Sequence, residues 1–219
     1  MLFWRSHDSS GAHRLPRGFL SMSPPFRNDA LPLESIALLP GSSGSHGLLQ
    51  HIAANPACAQ GNGVGLFLGD PFLNLEQITQ QLKKLDVQWI CNLPSLAQHA
   101  EEFRNQLADV DISVAGELKA LHEFRLNGFH TLAGLSSTEH VHTLVSHPAD
   151  AILVLQTTDD LQISFPSLPQ RLKKVTKIAA TAMIDKCKVL PVVTEPELPQ
   201  LNSNALLRPV WFESDAAAQ

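Results

Sequence analysis

Cysteine is scarce in this chain, and what little there is falls into no pattern: Cys58, Cys91 and Cys187 are the only three in 219 residues. Their odd number and wide spacing exclude a disulfide framework and a zinc-binding repeat, and they point to a reducing compartment. Positive charge is also in short supply. The formal net charge is -5 and the sequence pI is near 6.0, which argues against a general affinity for nucleic acid. The one dense basic segment, Arg171 to Lys177, shares a helical repeat with apolar residues and reads as a solvated face. Apolar runs long enough to span a bilayer are missing, and Met1 to Ser9 lack the basic start and apolar middle of a secretory signal. A soluble, cytoplasmic protein with no membrane or nucleic-acid partner is therefore expected.

What the chain does have is a regular alternation of short apolar runs and helical stripes. At 44% hydrophobic it can bury one sizeable core, and we expect an irregular arm over 1–32, a single α/β domain over 33–213 and a tail over 214–219. In the arm only Leu2 to Trp4 and Gly18 to Met22 are apolar, and they suit edge strands or a loop equally. The clearest unit is Gly63 to Ser95. Val64 to Leu68 forms a buried strand that stops at Asp70-Pro71; Leu75, Ile78, Leu82 and Leu85 form one helical stripe after an Asn74–Gln77 cap; Val87 to Cys91 forms a second strand ending at Asn92-Leu93-Pro94.

The pattern continues on both sides. Ser35 to Leu39 reads as an earlier strand, followed by the Gly41–Gly47 loop, whose backbone N–H groups, with Ser42 and Ser43, can cradle a phosphate or carboxylate or simply connect two elements. Downstream, Ser95 with Gln98 predicts a cap for a helix carrying Ala100, Phe103, Leu107 and Val110. Asp111 opens a helix that buries Val114, Leu118 and Leu121 and ends at Asn127-Gly128. Strands follow at Phe129–Leu132, Ala151–Leu155, Val189–Val193 and Val210–Phe212, with a helix striped by Leu168, Leu172, Val175, Ile178, Ala179 and Ala182 among them. Such alternation specifies a parallel sheet with helical crossovers. Periodicity does not choose between a closed barrel and an open parallel sheet.

Gly69-Asp70-Pro71-Phe72, Cys91-Asn92-Leu93-Pro94-Ser95, Phe103-Arg104-Asn105-Gln106-Leu107-Ala108-Asp109 and Ala115-Gly116-Glu117-Leu118 occur in the order and spacing of motifs in one barrel family. Together with Ser35-Ile36-Ala37-Leu38-Leu39-Pro40 they make the chain resemble the phosphoenolpyruvate hydrolase-like family, relatives of isocitrate lyase and phosphoenolpyruvate mutase. The resemblance runs from about Ser35 to Val193 and implies a TIM-type (β/α) barrel. The family's glycine-rich first strand has no plain counterpart, so an incomplete barrel, or one that completes itself by homo-oligomerisation, is also expected.

The resemblance further implies a small oxoacid or phosphate ester as partner and Mg²⁺ as cofactor, for lyase or hydrolase chemistry. Asp70, Asn92 and Glu117 would be catalytic, Asp70 the metal contact, and Ser42, Ser43 and Ser95 substrate-binding. Read without the family, Asp70 forms a turn, Asn92 satisfies a loop, Glu117 is an ordinary helix residue and Arg104 pairs with Glu101. His130 is expected to be a satisfied core histidine. Several other strand exits, such as Thr131-Leu132-Ala133-Gly134 and Pro191-Val192-Val193, have lost the family's polar groups. The alternative is a non-catalytic barrel that senses a metabolite or holds a partner protein.

Overall fold

A computed structural model describes residues 2–6, 16, 18–21, 44–163, 165–182, 187–201 and 210–213. Eight strands close into a barrel in chain order: β1 (Leu2–Ser6), β2 (Gly18–Ser21), β3 (Gly63–Leu66), β4 (Trp89–Asn92), β5 (His130–Leu135), β6 (Ala151–Val154), β7 (Lys188–Val193) and β8 (Val210–Glu213). β2 through β8 pair in parallel, and β1 runs antiparallel to both β2 and β8. The sheet is thus a TIM-type barrel with one reversed strand, and the open-sheet alternative falls away.

That reversed strand explains how so short an N-terminal stretch fills the place of a first strand. Adjacent parallel strands need a crossover of a dozen or more residues, usually a helix, whereas antiparallel neighbours need only a short return. Leu2 pairs with Ser21 and Arg5 with Gly18, and on the other side Phe3 pairs with Glu213 and Ser6 with Val210. The stretch read as an irregular arm therefore supplies two barrel strands, the Leu2 and Gly18 pieces among them. Closure leaves none of the eight strands at an edge. The expected strand at Ser35–Leu39 lies outside the described residues.

Strand alternation sorts the core into two layers. Phe19, Trp89, Cys91, Leu93, Leu132, Leu153, Leu155, Leu190 and Val192 pack inside the barrel. Their alternates Val64, Leu66, Ile90, Ala133, Leu135, Ile152 and Val154 face the helices. Against them lie α1 (Gly44–Ala54), through Leu48 and Ile52, α2 (Leu75–Lys84), through Ile78 and Leu82, and α4 (Val114–Leu126), through Leu118 and Leu121. α2 starts as expected, with the Asn74 side chain accepting the Gln77 N–H at 3.0 Å. Gly128, at φ +92°, follows α4 in the left-handed conformation that favours glycine.

Three helical expectations need correction. The Ser95–Gln98 capping box closes only a 3₁₀ turn, Leu96–Gln98, and the helix after it, α3 (Glu101–Ala108), has no buried residue. Phe103 and Val110 are exposed, because α3 lies in the connection and α4 takes the place against the sheet. α4 is capped by Ser113 rather than started at Asp111, which has φ +63°. A short α5 (Thr143–Ser146) and α6 (Thr158–Ile163) precede α7 (Leu168–Thr181), and α8 (Leu198–Leu201) lies before β8.

On α7 the buried face is Leu168, Arg171, Val175 and Ile178, so the basic segment is not wholly a solvated face. Arg171 is 1% exposed. It donates from Nη1 to the Val192 carbonyl at 2.8 Å and from Nε to the Pro166 carbonyl at 2.9 Å, pairs through Nη2 with Glu197, and lies over the Phe165 ring. His130 also departs from expectation. It is half exposed at the start of β5, stacked on Trp89 and 3.9 Å from Asp150, rather than in the core. No helix among the described residues is long and apolar enough to cross a membrane.

Candidate functional site

In parallel α/β barrels the carboxyl ends of the strands carry the sites. A buried polar network built around Asn92, Ser95 and Glu117 lies there, at the exits of β4 and β5. Asn92, the last residue of β4, lies on the helix-facing side of the strand with Ile90, in register with Leu66 of β3. Beyond the Cys91–Leu132 pair its side chain takes over from the β4–β5 ladder. Oδ1 accepts the Gly134 N–H at 2.7 Å and Nδ2 donates to the Gly134 carbonyl at 3.2 Å, so a side-chain amide pairs with a peptide as a neighbouring strand would. A Cβ on Gly134 would lie 2.8 Å from the Asn92 carbonyl oxygen, which is why glycine stands at that position.

From Asn92 the network runs through the turn Leu93-Pro94-Ser95, whose Leu93–Pro94 peptide is cis. Asn92 Nδ2 also donates to Ser95 Oγ at 3.0 Å, and Ser95 Oγ accepts the Ala97 N–H at 3.1 Å. Ser95 in turn donates its hydroxyl to Glu117 Oε2 at 2.8 Å. The same oxygen accepts the Leu96 N–H at 3.0 Å and a longer contact from Asn92 Nδ2 at 3.4 Å. Gln98 Oε1 accepts the Ser95 N–H at 3.1 Å and completes the turn.

Glu117 stands in the first turn of α4 and is 0% exposed. Burial pushes its carboxyl up to about 7, and the Ser95 hydroxyl, the Leu96 amide, Asn92 and the Gly69 amide pull it part of the way back. No cation is among these partners. Oε1 makes no hydrogen bond. The thiol of Cys91 is pushed well up, first by its own burial and then by the Glu117 charge, so it is no nucleophile.

Asn92, Ser95 and Glu117 are thus brought together, in the layer between barrel and helices. Asp70 is not bonded to them. It is half-buried beyond β3, where Oδ1 accepts the Phe72 N–H at 2.9 Å in a local turn that leaves Phe72 93% exposed. Ser42 and Ser43 lie outside the described residues; the buried Ser45 next to them accepts the Phe67 N–H at 3.1 Å and ties α1 to the β3 exit. Sequence reading missed Gly134 and Ser136 as partners of this region. Ser136 donates to the Ala97 carbonyl and joins the β5 exit to the β4 turn. A serine immediately after an apolar strand was the available signal.

Among the described residues, the donor set does not build a resident Mg²⁺ site. A hard divalent cation takes carboxylate oxygens and water in octahedral geometry, and no cluster of three or more His, Cys, Asp or Glu suited to a metal occurs among the described residues. Asp70 has one oxygen engaged in its turn, and Glu117 favours a proton up to about 7.

No family model matches the chain, and no curated protein does. Several solved structures are similar to it. A native KDPGal structure aligns with 82% of this chain and 69% of its own at 16% identity, with a TM-score of 0.43. A cube-shaped, highly porous protein cage designed by fusing symmetric oligomeric domains aligns with 89% of this chain at 15% identity and a TM-score of 0.44. Nitroalkane oxidase from Streptomyces ansochromogenes aligns with 68% at 11% identity and a TM-score of 0.40. The chain spans 62% of the cage protein's length and 48% of the oxidase's. At these scores the fold rests on the strand order itself, a TIM-type barrel.

Proposed function

We propose that this barrel binds a small oxoacid or phosphorylated metabolite over the exits of β3 and β4, as a divergent member of the phosphoenolpyruvate hydrolase-like group. The observation that carries the reading is the sealed network of Asn92, Ser95 and Glu117 at those exits. The hydrogen bonds of Asn92, of Ser95 and of Glu117 Oε2 hold the loops around the barrel mouth in one geometry, while Glu117 Oε1 is left without a partner. In this reading Asn92 and Glu117 are the frame rather than the reacting groups. Asp70, one residue beyond the Gly69 amide that faces Glu117, is the carboxylate offered to the ligand, directly or through ligand-borne Mg²⁺. Ser42 and Ser43 belong to the proposal through the adjoining loop. A cytoplasmic location is part of it too, in keeping with three free cysteines.

The alternative, a non-catalytic barrel that senses a metabolite, is favoured by a second observation. The inward positions at the exits of β4 to β7 are Leu93, Gly134, Leu155 and Val192, none of which can move a proton. Calorimetry with pyruvate, oxaloacetate and phosphoenolpyruvate, each with and without Mg²⁺, tests both. Saturable heat that Asp70→Asn abolishes supports ligand binding, and product formation in the same cell selects the enzyme over the sensor. Absence of heat with every compound rejects the proposed function.

A further inference from the structure

A second constellation at the same end of the barrel involves none of Asp70, Asn92, Ser95 or Glu117. Arg104 of α3 does not pair with Glu101, as its sequence neighbourhood suggests. Its Nη1 donates to the His99 carbonyl at 3.0 Å, which fixes the guanidinium, and its Nη2 donates to Glu139 Oε2 at 3.3 Å. The same Glu139 oxygen lies 3.6 Å from Nε2 of His140, too far for a good hydrogen bond. That Nε2 is buried and has no hydrogen-bond partner. Exposure separates the three groups: the Arg104 and His140 side chains are 16% and 19% exposed, and Glu139 is 60% exposed.

One carboxylate oxygen therefore sits between two shielded nitrogen groups, on a side chain that solvent can draw away. Arg104 follows β4 and the Glu139–His140 pair follows β5, so the contact spans two neighbouring exit loops. Burial holds the His140 imidazole below its ordinary range; Glu139 opposes that and Arg104 reinforces it. His99, on the same guanidinium, is lowered first by burial and then by Arg104. Both rings are thus neutral at neutral pH, and Arg104 is the cation of the cluster. A guanidinium with one edge anchored and the other turned to a solvent-exposed carboxylate is suited to exchange that carboxylate for another oxyanion.

We infer that Arg104 and His140 form a binding site for a small oxyanion, a carboxylate or phosphate group, and that the Glu139 carboxylate occupies it in the ligand-free protein. The site stands whether or not the barrel turns over a substrate. Its test is a titration of the full chain with inorganic phosphate and, separately, pyruvate at constant ionic strength, read from the imidazole NMR signals of His140. The wild type should show a saturable shift, and Glu139→Ala should bind about fivefold more tightly because the competing carboxylate is gone. Arg104→Gln should weaken binding by about tenfold or more, and Arg104→Lys, which keeps the charge without the fork, should fall between. Saturation by phosphate or by pyruvate tells which oxyanion the site prefers.

Equal affinity in Glu139→Ala and wild type, undiminished binding in Arg104→Gln, or a silent His140 in Glu139→Ala with both probes would each overturn the inference. Far-UV circular dichroism confirms that the variants are folded. The His140 signals report on this site alone, so pyruvate heat that persists in Arg104→Gln and vanishes in Asp70→Asn would support the proposed function without it.

Discussion

Replacing Glu117 by Gln is expected to flatten the pH dependence of stability, with the variant gaining on the wild type by roughly 2–3 kcal/mol between pH 5 and pH 8. The sign follows from the direction of the shift. In the folded protein burial, against the pull of the surrounding O–H and N–H groups, raises the Glu117 carboxyl from 4.5 to about 7. Folding therefore favours the protonated acid. Its contribution is complete below pH 4.5 and is lost as the pH rises through 7, where a buried carboxylate without a cation must be accommodated. Glutamine is a neutral isostere that keeps an acceptor for the Ser95 hydroxyl and the Leu96 amide.

Asp160 and Glu197 act in the opposite direction. In each, burial is the largest single influence and raises the carboxyl, but the hydrogen bonds and charge of Lys174 with the Thr157 bonds, or of Arg171 with the Thr194 bonds, together outweigh it and leave it below the ordinary range. Their stabilising effect is lost as the pH falls, so the wild-type curve alone mixes the two trends. Urea denaturation of both proteins at a series of pH values isolates the Glu117 part as a difference. Parallel curves would show that the carboxylate is ionised at no cost and that its burial has another explanation.

Arg171→Met is expected to destabilise the barrel by about 3 kcal/mol, although it removes one residue from a segment that reads as a solvated basic face. The guanidinium is fully buried and satisfies the carbonyls of Val192 and Pro166 while pairing with Glu197. Methionine fills much of the volume but leaves two carbonyls and a shielded carboxylate without their donor. For a chain of this length the loss corresponds to a fall in Tm of roughly 10 °C. Glu197→Gln in the Arg171→Met background should recover part of it, because the unpaired charge is then gone. A change of less than about 1 kcal/mol in Arg171→Met would mean that water replaces the guanidinium freely.

Strands and buried polar side chains differ in how far the order of residues betrays them. The strands were legible because β3 to β8 are short apolar runs ended by Pro, Asn or polar residues, and a run buried on both faces has little else it can be. α2 was legible from its cap and stripe. The N-terminal strands were not, since Leu2–Ser6 and Gly18–Ser21 are too short to show alternation and owe their place to pairing with each other and with β8. α3 misled because Phe103, Leu107 and Val110 have helical spacing, yet α4, with more apolar residues, took the place on the sheet. Asn92 stands out in the sequence by its place at a strand exit, whereas Glu117 is singled out only by the family resemblance and otherwise reads as an ordinary helix residue. Their orientation toward the helices depended on strand register, which the order of residues does not reveal. Arg171 was lost because a buried arginine and a solvated one have the same spacing until its carbonyl partners are known.

The proposed binding of a small oxoacid at the exits of β3 and β4, framed by the Asn92–Ser95–Glu117 network and beside Asp70, is open to direct test. Amide chemical-shift mapping with pyruvate on the uniformly labelled protein tests it most directly. Saturable shifts are expected at Gly69, Asp70 and the Ser95–Ala97 turn alone, apart from those reporting on Arg104 and His140, and they should be lost in Asp70→Asn. Shifts elsewhere on the barrel, or none around Gly69 and Ser95 at saturating pyruvate, would contradict it.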